Sequence, residues 1–293
     1  MMHLLIQRIL SNGFVVTDGA WGTQMQAQGL EPGELPDHWN LLYPDRVLKV
    51  ARSYVEAGSQ AILSNTFGGT RLNLERYGLA AETVAINREG ASISREAAGG
   101  QAFVFASMGP TGKMLATGEV STAELEAAFK EQAFALAEGG ADAIVVETMS
   151  DPTEAAVAVR AAASTDLPVV ACMVFGAGKN KDRTMMGTTP EQAVEILSEA
   201  GADVIGSNCG QGIEGFVPIC KRLNAVSDKP VWIKANAGNP EMVDGQIVYR
   251  TTPDDFVRYV EPLIQSGASF IGGCCGTSPE FIQAVRQKVD QFR

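Results

Sequence analysis

The sequence predicts an α/β fold in which eight parallel strands alternate with helices in a single (β/α)8 TIM barrel. Eight short apolar runs recur along the 293 residues, each ending in small or polar residues, with helix-like segments between them. Strands that alternate with helices imply a parallel sheet, and eight such units in a chain of this length suit a barrel. An open doubly wound sheet is the alternative. The runs begin at Phe14, Ala61, Phe103, Ala143, Val169, Val204, Val231 and Phe270.

The segments between these runs have the apolar spacing of amphipathic helices. VLKVARSYVEAG, TAELEAAFKEQAFALAEGG and PEQAVEILSEAG carry apolar residues three or four positions apart and end in glycine, as helices often do. The turn from helix to strand has a similar sequence in three places, which are EAGSQAIL, EAGADVIG and QSGASFIG. No Pro/Gly/Ser-rich linker divides the chain, so we expect one domain over residues 1–293.

Composition and charge argue against several classes of function. A net charge of −11 at pH 7 disfavours binding to nucleic acid or to an anionic membrane surface, so we expect neither partner. No apolar stretch is long enough to span a bilayer, and MMHLLIQRILSNG lacks the form of a signal peptide. Five irregularly spaced cysteines indicate free or metal-bound thiols in a reducing cytoplasm.

In a barrel of this kind the functional residues lie at the C-terminal ends of the strands. Cys172 lies within a predicted strand and Cys220 in a helical stretch, so we expect both to be buried packing residues. The polar residues that the pattern places at strand ends are Asp18, Asn65, Glu147, Asn208, Cys209, Asn236, Cys274 and Cys275.

Three of the cysteines, Cys209, Cys274 and Cys275, should meet at one rim of the barrel. Three thiolates suit a borderline or soft metal such as zinc, and three protein ligands leave a fourth position open, as in catalytic zinc sites. Three negative sulfurs make the metal a weak activator of water, but they suit the binding and deprotonation of a fourth thiol. The residues thus favour thiol alkylation over hydrolysis. A vicinal disulfide or packing thiols are the alternative for Cys274 and Cys275.

Seven motifs give the chain a family resemblance. TDGAWGTQMQ, LSNTFGGTRLNLERYGL, SMGPTGK, VVETMSD, GSNCGQG, NAGNP and GGCCGTSPE occur in the order and spacing of the homocysteine S-methyltransferase family. The chain resembles in particular the homocysteine-binding module of cobalamin-dependent methionine synthase. The resemblance implies a (β/α)8 barrel with zinc on Cys209, Cys274 and Cys275. It also implies that homocysteine is activated as a zinc thiolate and methylated to methionine.

The resemblance also implies substrate-binding roles. Glu147 matches the family's acid beside the homocysteine ammonium, and a carboxylate is a reasonable partner for that charge; an ion pair at the rim is the alternative. Asp18 matches an acid of the substrate loop, with a turn or helix N-cap as the alternative. Asn236 matches an asparagine that can fill the open metal position, although it could simply bond a neighbouring loop. Asn65 and Thr66 are expected to shape the pocket through loop hydrogen bonds.

The methyl donor is left open by the sequence. Only His3 and His38 are present, so the chain has no Asp-x-His-x-x-Gly cobalamin signature, and it has no second barrel for a folate. We therefore expect the methyl group to arrive from outside, delivered by methylcobalamin or by a separate corrinoid protein. A sulfonium such as S-methylmethionine or S-adenosylmethionine is the alternative donor. The chain could also be a single-domain or excised form of a larger enzyme.

Two other functions stay in view. A corrinoid-linked methyltransferase could use the same fold and zinc on another methylated substrate. A binding protein could use the cysteines as a structural zinc site or redox sensor, but a structural site needs a fourth permanent ligand. No fourth cysteine or histidine lies at a matching strand end.

Overall fold

The computed structural model describes residues 2–243 and 246–292, and these residues form the predicted barrel. Its strands are β1 (Val15–Val16), β2 (Ala61–Ile62), β3 (Phe103–Met108), β4 (Ala143–Met149), β5 (Val169–Met173), β6 (Val204–Gly212), β7 (Val231–Asn236) and β10 (Ala268–Gly273). An antiparallel hairpin of β8 (Glu241–Val243) and β9 (Gln246–Val248) follows β7. Each of the eight apolar runs therefore contains a barrel strand.

The eight strands are parallel and close on themselves. Their order in the sheet is β1-β10-β7-β6-β5-β4-β3-β2. A parallel bridge between Thr17 and Ala61 then joins the two ends of this order. The open doubly wound alternative is therefore wrong, and the prediction of a (β/α)8 barrel is confirmed.

The helices include those predicted from the apolar spacing, which are α4, α7 and α9. The bounds are α1 (Leu4–Leu10), α2 (Gly22–Ala27), α3 (Trp39–Leu42), α4 (Pro44–Glu56), α5 (Arg71–Leu74), α6 (Thr83–Ala98), α7 (Thr122–Glu138), α8 (Pro152–Ala163), α9 (Pro190–Ala200), α10 (Ile213–Val226), α11 (Pro253–Val257), α12 (Val260–Gln265) and α13 (Pro279–Val289). Within the described ranges, no helix combines the length and the apolarity that a bilayer crossing requires.

Local sequence signals set the starts of the long helices. Ser121 and Glu124 form a capping box at the start of α7, and Thr189 and Gln192 form another at the start of α9. In α8, the Asp151 side chain accepts from the first free backbone N–H groups. These caps fix where each helix leaves the rim, and so they fix the loops that surround the site.

The barrel interior is filled by two kinds of layer. Phe105, Trp232 and Phe270 are fully buried and stack in the lower part, with the Trp232 ring centroid 5.8 Å from that of Phe105 and 5.2 Å from that of Phe270. Residues two positions further along a strand point to the same side, which places Ser107 and Lys234 directly above these rings. The aromatic layer is thus the floor beneath a polar layer at the C-terminal ends of the strands.

Cys172 and Cys220 lie where the sequence places them. Cys172 is buried in β5 and Cys220 is buried in α10. Burial raises the pKa of both thiols. Both are therefore neutral packing residues, and neither belongs to the cluster of three cysteines at the strand ends.

Candidate functional site

The three strand-end cysteines converge as predicted. The sulfurs of Cys209, Cys274 and Cys275 all lie within 4.8 Å of one another, and the sulfurs of Cys209 and Cys275 are 3.9 Å apart. All three are free thiols of intermediate exposure, with no disulfide between Cys274 and Cys275. A single metal ion could contact all three sulfurs.

A bulge in β6 brings Cys209 into this cluster. The register between β6 and β7 shifts after Asn208, and Cys209 and Gly210 adopt φ angles of 61° and 81°. A left-handed conformation at a residue other than glycine costs about 1–3 kcal/mol. Such strain persists where the surrounding structure holds it, and it is frequent at functional sites.

A turn, rather than a strand, holds the two adjacent cysteines. The strand β10 ends at Gly273, and the Thr277 backbone N–H closes a turn on the Cys274 carbonyl at 3.1 Å. Gly276 has a φ of 80° within this turn, and the Tyr249 ring fills the space that a side chain there would need. Side chains of adjacent residues in a strand point to opposite faces. Because Cys274 and Cys275 lie in a turn instead, both sulfurs can point to the same place.

The donor set fits a metal ion such as zinc. Hydrogen bonds from Cys274 and Cys275 lower the pKa of Cys209, whereas hydrogen bonds with Cys209 and Cys275 and burial raise the pKa of Cys274. Three thiolates at this separation repel one another, so a cation is needed to hold all three ionised. The Asn236 side chain hydrogen-bonds Cys209, and its Oδ1 is buried without a hydrogen-bond partner in the described structure. An unpaired buried oxygen beside three thiols is what a metal site would satisfy.

Glu147 lies on the wall of the same cavity as the cysteines. The cavity has a volume of about 1000 Å³. The Glu147 carboxylate accepts from Ser107 Oγ at 2.5 Å and from Asn208 Nδ2 at 3.1 Å. Burial raises its pKa, while the charge of Lys234 and the Ser107 hydrogen bond act in the opposite direction. The structure thus brings a buried acid and three thiols to one cavity.

Asp18 lies behind the cavity wall, and its oxygens are occupied by protein donors. Oδ1 accepts from Lys234 Nζ, and Oδ2 accepts from Trp21 Nε1 at 2.8 Å and from the Leu63 backbone N–H at 2.7 Å. It does not cap a helix, since the N-cap of α2 is Trp21. Its substrate-binding role stays a prediction, and its partners indicate that it fixes the loop after β1.

Asn65 and Thr66 hold the loop after β2. Asn65 lines the cavity and donates to the Pro36 carbonyl at 2.7 Å and to Asn40 Oδ1 at 2.9 Å. Thr66 donates to the Ser107 carbonyl at 2.7 Å and is fully buried. These are loop hydrogen bonds of the kind that the sequence reading expected for both residues.

Three residues at the site received no role from the sequence. Asn208 was predicted at a strand end but was given no role there. Lys234 is a buried polar residue in an otherwise apolar run, and that contrast is a signal that could have found it. Tyr249 follows the hairpin and lines the cavity, but nothing in its local sequence marks it. Burial and the nearby Cys275 raise the pKa of the Tyr249 hydroxyl, so it is a neutral donor beside the sulfurs.

Comparison with known proteins finds one family over nearly the whole chain. The family model described as homocysteine S-methyltransferase matches residues 15–289. The chain is 31% identical over 304 residues to a protein named methionine synthase from Mycobacterium tuberculosis, and 29% identical over 310 residues to one from Mycobacterium leprae. The matches cover 97% and 99% of this chain but 25% of each relative, so the chain spans about a quarter of their length.

Solved structures share the fold. The metallated form of the homocysteine methyltransferase MmuM from Escherichia coli superimposes with a TM-score of 0.81 at 21% identity, over 96% of this chain and 99% of that one. Its oxidized form gives a TM-score of 0.80 over the same shares of both chains. At this identity the likeness supports the barrel alone. The family match over nearly the whole chain, on a barrel whose strand ends bring three cysteines together, shows that the chain belongs to the homocysteine S-methyltransferase family.

Proposed function

We propose that the chain is a zinc-dependent S-methyltransferase that methylates homocysteine to methionine. The observation that carries this proposal is the meeting of Cys209, Cys274 and Cys275 with buried Glu147 on one cavity. The homocysteine sulfur loses its proton and forms a bond to the donor's methyl carbon, and the bond between that carbon and the donor breaks. Cys209, Cys274 and Cys275 would hold a zinc ion, which would bind the substrate thiol and lower its pKa.

Glu147 is the residue that we propose for the substrate ammonium. Each of its oxygens accepts one hydrogen bond from a neutral protein donor, Ser107 or Asn208. A carboxylate offers about four lone-pair sites, so acceptor capacity is left for a ligand. With the carboxylate held on both sides, the ammonium would be bound in one place and the sulfur would be presented to the cysteines.

Apolar and aromatic side chains form much of the cavity wall. Trp21, Leu35, Phe67 and Tyr249 line it around the polar layer at the strand ends. Charge interactions strengthen away from water, so buried Glu147 would hold the ammonium more firmly than an exposed carboxylate. We propose that Asn65 and Thr66 serve this arrangement by holding the loop after β2, and that Asn236 lies beside the metal.

For the donor we propose methylcobalamin carried by a corrinoid protein. Support comes from the relatives named methionine synthase, of which this chain spans a quarter. A sulfonium donor such as S-methylmethionine or S-adenosylmethionine, or another methylated substrate in a corrinoid-linked reaction, is the second candidate. A single domain over residues 1–293 and a cytoplasmic location stay predictions.

A parallel assay with two donors tests this proposal. Reduced, zinc-loaded protein is incubated anaerobically with L-homocysteine and either methylcobalamin or S-methylmethionine, and methionine is measured by mass spectrometry. Methionine from methylcobalamin alone supports the corrinoid donor, and methionine from the sulfonium alone replaces it with the second candidate. Failure to bind homocysteine would contradict the proposed function itself.

A further inference from the structure

A buried lysine lies on the floor of the cavity and has no part in the proposed transfer. Lys234 is on β7 with 2% of its side chain exposed, and its Nζ forms an ion pair with fully buried Asp18. It is the one cationic side chain among the described residues that line the cavity. A buried charge is costly unless it is paired, so its position calls for a physical reason.

The two acids near this floor differ in their partners. Asp18 has a cationic partner, and its second oxygen is taken by Trp21 and Leu63. The hydrogen-bond donors to Glu147 among the described residues are the neutral Ser107 and Asn208, and Glu147 lines the cavity. Asp18 is therefore neutralised within the protein, whereas no cationic side chain of the described ranges hydrogen-bonds Glu147.

Lys234 acts on both acids. Burial lowers its pKa, but the charge and hydrogen bond of Asp18, the charge of Glu147 and the nearby Cys274 together raise it, which keeps it cationic. The same cation acts to lower the pKa of Glu147 against the effect of burial. The charge of the lysine thus reaches both acids, while its hydrogen bond goes to Asp18.

We propose that Lys234 is a positioning residue that neutralises Asp18 and so leaves Glu147 as the acid that selects thiols carrying an ammonium group. The inference rests on the proposed function in one respect, the binding of the homocysteine ammonium at Glu147. It goes further by assigning substrate selectivity to an ion pair that does not touch the substrate. Asp18 is then a fixed partner of the lysine rather than a second ammonium site.

A cycle of charge variants tests this assignment. The ligands are L-homocysteine and its des-amino analogue 4-mercaptobutanoate, and calorimetry gives the Kd of each for zinc-loaded protein. The quantity compared is the preference, which is the Kd of the analogue divided by that of homocysteine. The variants are Lys234→Met, Asp18→Asn, the double variant of both, and Glu147→Gln. Zinc content and thermal unfolding are measured for each, because a structural role would change these and not the preference.

In the unchanged protein we expect a preference of about tenfold or more, since one charge-assisted contact is worth roughly that factor. Glu147→Gln should abolish it. Lys234→Met should keep it, because at least one of the two uncompensated carboxylates stays ionised to receive the ammonium. Asp18→Asn should abolish it because the freed lysine then neutralises Glu147. The double variant should restore most of it, because Glu147 is again the lone charge of the three. The amide oxygen that Asp18→Asn introduces can still accept from Trp21 and Leu63.

The outcomes separate this inference from the proposed function. If Glu147→Gln keeps the preference, the ammonium assignment fails and the inference fails with it. If Glu147→Gln abolishes it but the double variant does not restore it, only the inference fails, and Lys234 or Asp18 contacts the substrate directly. Should a single variant of the pair not fold, the double variant and Glu147→Gln still carry the comparison, because a neutral replacement of both members of a buried ion pair is usually tolerated.

Discussion

Asn208 and Thr148 hydrogen-bond to each other twice, and this pair joins the strand of Glu147 to the strand of Cys209. The Thr148 backbone N–H donates to Asn208 Oδ1 at 2.8 Å, and Asn208 Nδ2 donates to Thr148 Oγ1 at 2.7 Å. Thr148 and Cys209 both have left-handed φ angles, of 63° and 61°. The Asn208 side-chain amide thus connects the bulges at Thr148 and Cys209. This connection fixes the position of Glu147 relative to the cysteines.

Replacing Asn208 by alanine should loosen both bulges. It leaves the Thr148 N–H without its partner and removes a donor from Glu147, and each unsatisfied buried group costs about 1–3 kcal/mol. We expect a free energy of unfolding lower by about 3 kcal/mol and a higher KM for homocysteine, measured by urea unfolding and initial rates. Asn224→Ala, at an exposed position of α10, is the control and should change stability by less than about 0.5 kcal/mol. Equal effects of the two changes would rule out a tie between the bulges.

Gly276→Ala should lower zinc content. The φ of 80° already strains any side chain there, and the added methyl group would also collide with the Tyr249 ring. Relief of that collision moves the turn that holds Cys274 and Cys275. Gly118→Ala is the matched control, because Gly118 has a φ of 74° with open space around it. Elemental analysis should find zinc retained in Gly118→Ala and reduced in Gly276→Ala; equal zinc content in both would mean that the Tyr249 contact does not position the turn.

The barrel and its cysteine cluster could be predicted because each depends on local pattern. Strand runs alternate with helix periods, and strand ends of a barrel meet at one rim whatever the loops do. The bulges at Thr148 and Cys209 could not be predicted, since the left-handed backbone at a residue other than glycine is imposed by tertiary contacts.

The ion pair between Lys234 and Asp18 could not be predicted from the sequence either, although Asp18 was placed at a strand end. It joins positions 216 residues apart across the barrel. The sequence predicted that Asp18 lies at a strand end, but it could not show that both carboxylate oxygens already accept hydrogen bonds from protein groups. Which side chains pair across a closed sheet depends on the direction and length of each side chain. The periodicity of the sequence carries no information about either.

Asp37 should make stability depend on pH. Burial raises its pKa to about 7 from the usual 3.8, while its Oδ1 accepts from the Gly68 N–H at 2.8 Å. Between these pH values the folded state binds the proton more tightly than the unfolded chain does. The contribution of Asp37 to stability is therefore present at low pH and lost as pH rises towards 7, with a slope of up to about 1.4 kcal/mol per pH unit.

Asp37→Asn isolates this effect because Asn can keep the bond from Gly68. Urea unfolding of both proteins between pH 5 and pH 8 gives the difference in free energy of unfolding. The unchanged protein should lose stability relative to Asp37→Asn as the pH rises to about 7, and the difference should then level off. A difference that stays constant across this range would show that the carboxyl has an ordinary pKa.

Cys275→Ser should release the metal, whereas Cys220→Ala should retain it. The first change removes one of three sulfurs that lie within 4.8 Å of one another, and the second removes a buried packing thiol in α10. Zinc per chain after gel filtration, with thermal unfolding as the fold control, checks both. Loss of zinc from Cys220→Ala at unchanged stability, or its full retention in Cys275→Ser, would move the site elsewhere.

X-ray absorption at the zinc edge, with and without L-homocysteine, tests the central claim most directly. We expect three sulfur neighbours at about 2.3 Å and one lighter neighbour in the substrate-free protein, and four sulfur neighbours once homocysteine is bound. Addition of 4-mercaptobutanoate at saturation should give the same four-sulfur signal, since the sulfur, not the ammonium, reaches the metal. Four sulfurs before any ligand is added, or no change on saturation with homocysteine, would contradict an open zinc position that receives the substrate thiol.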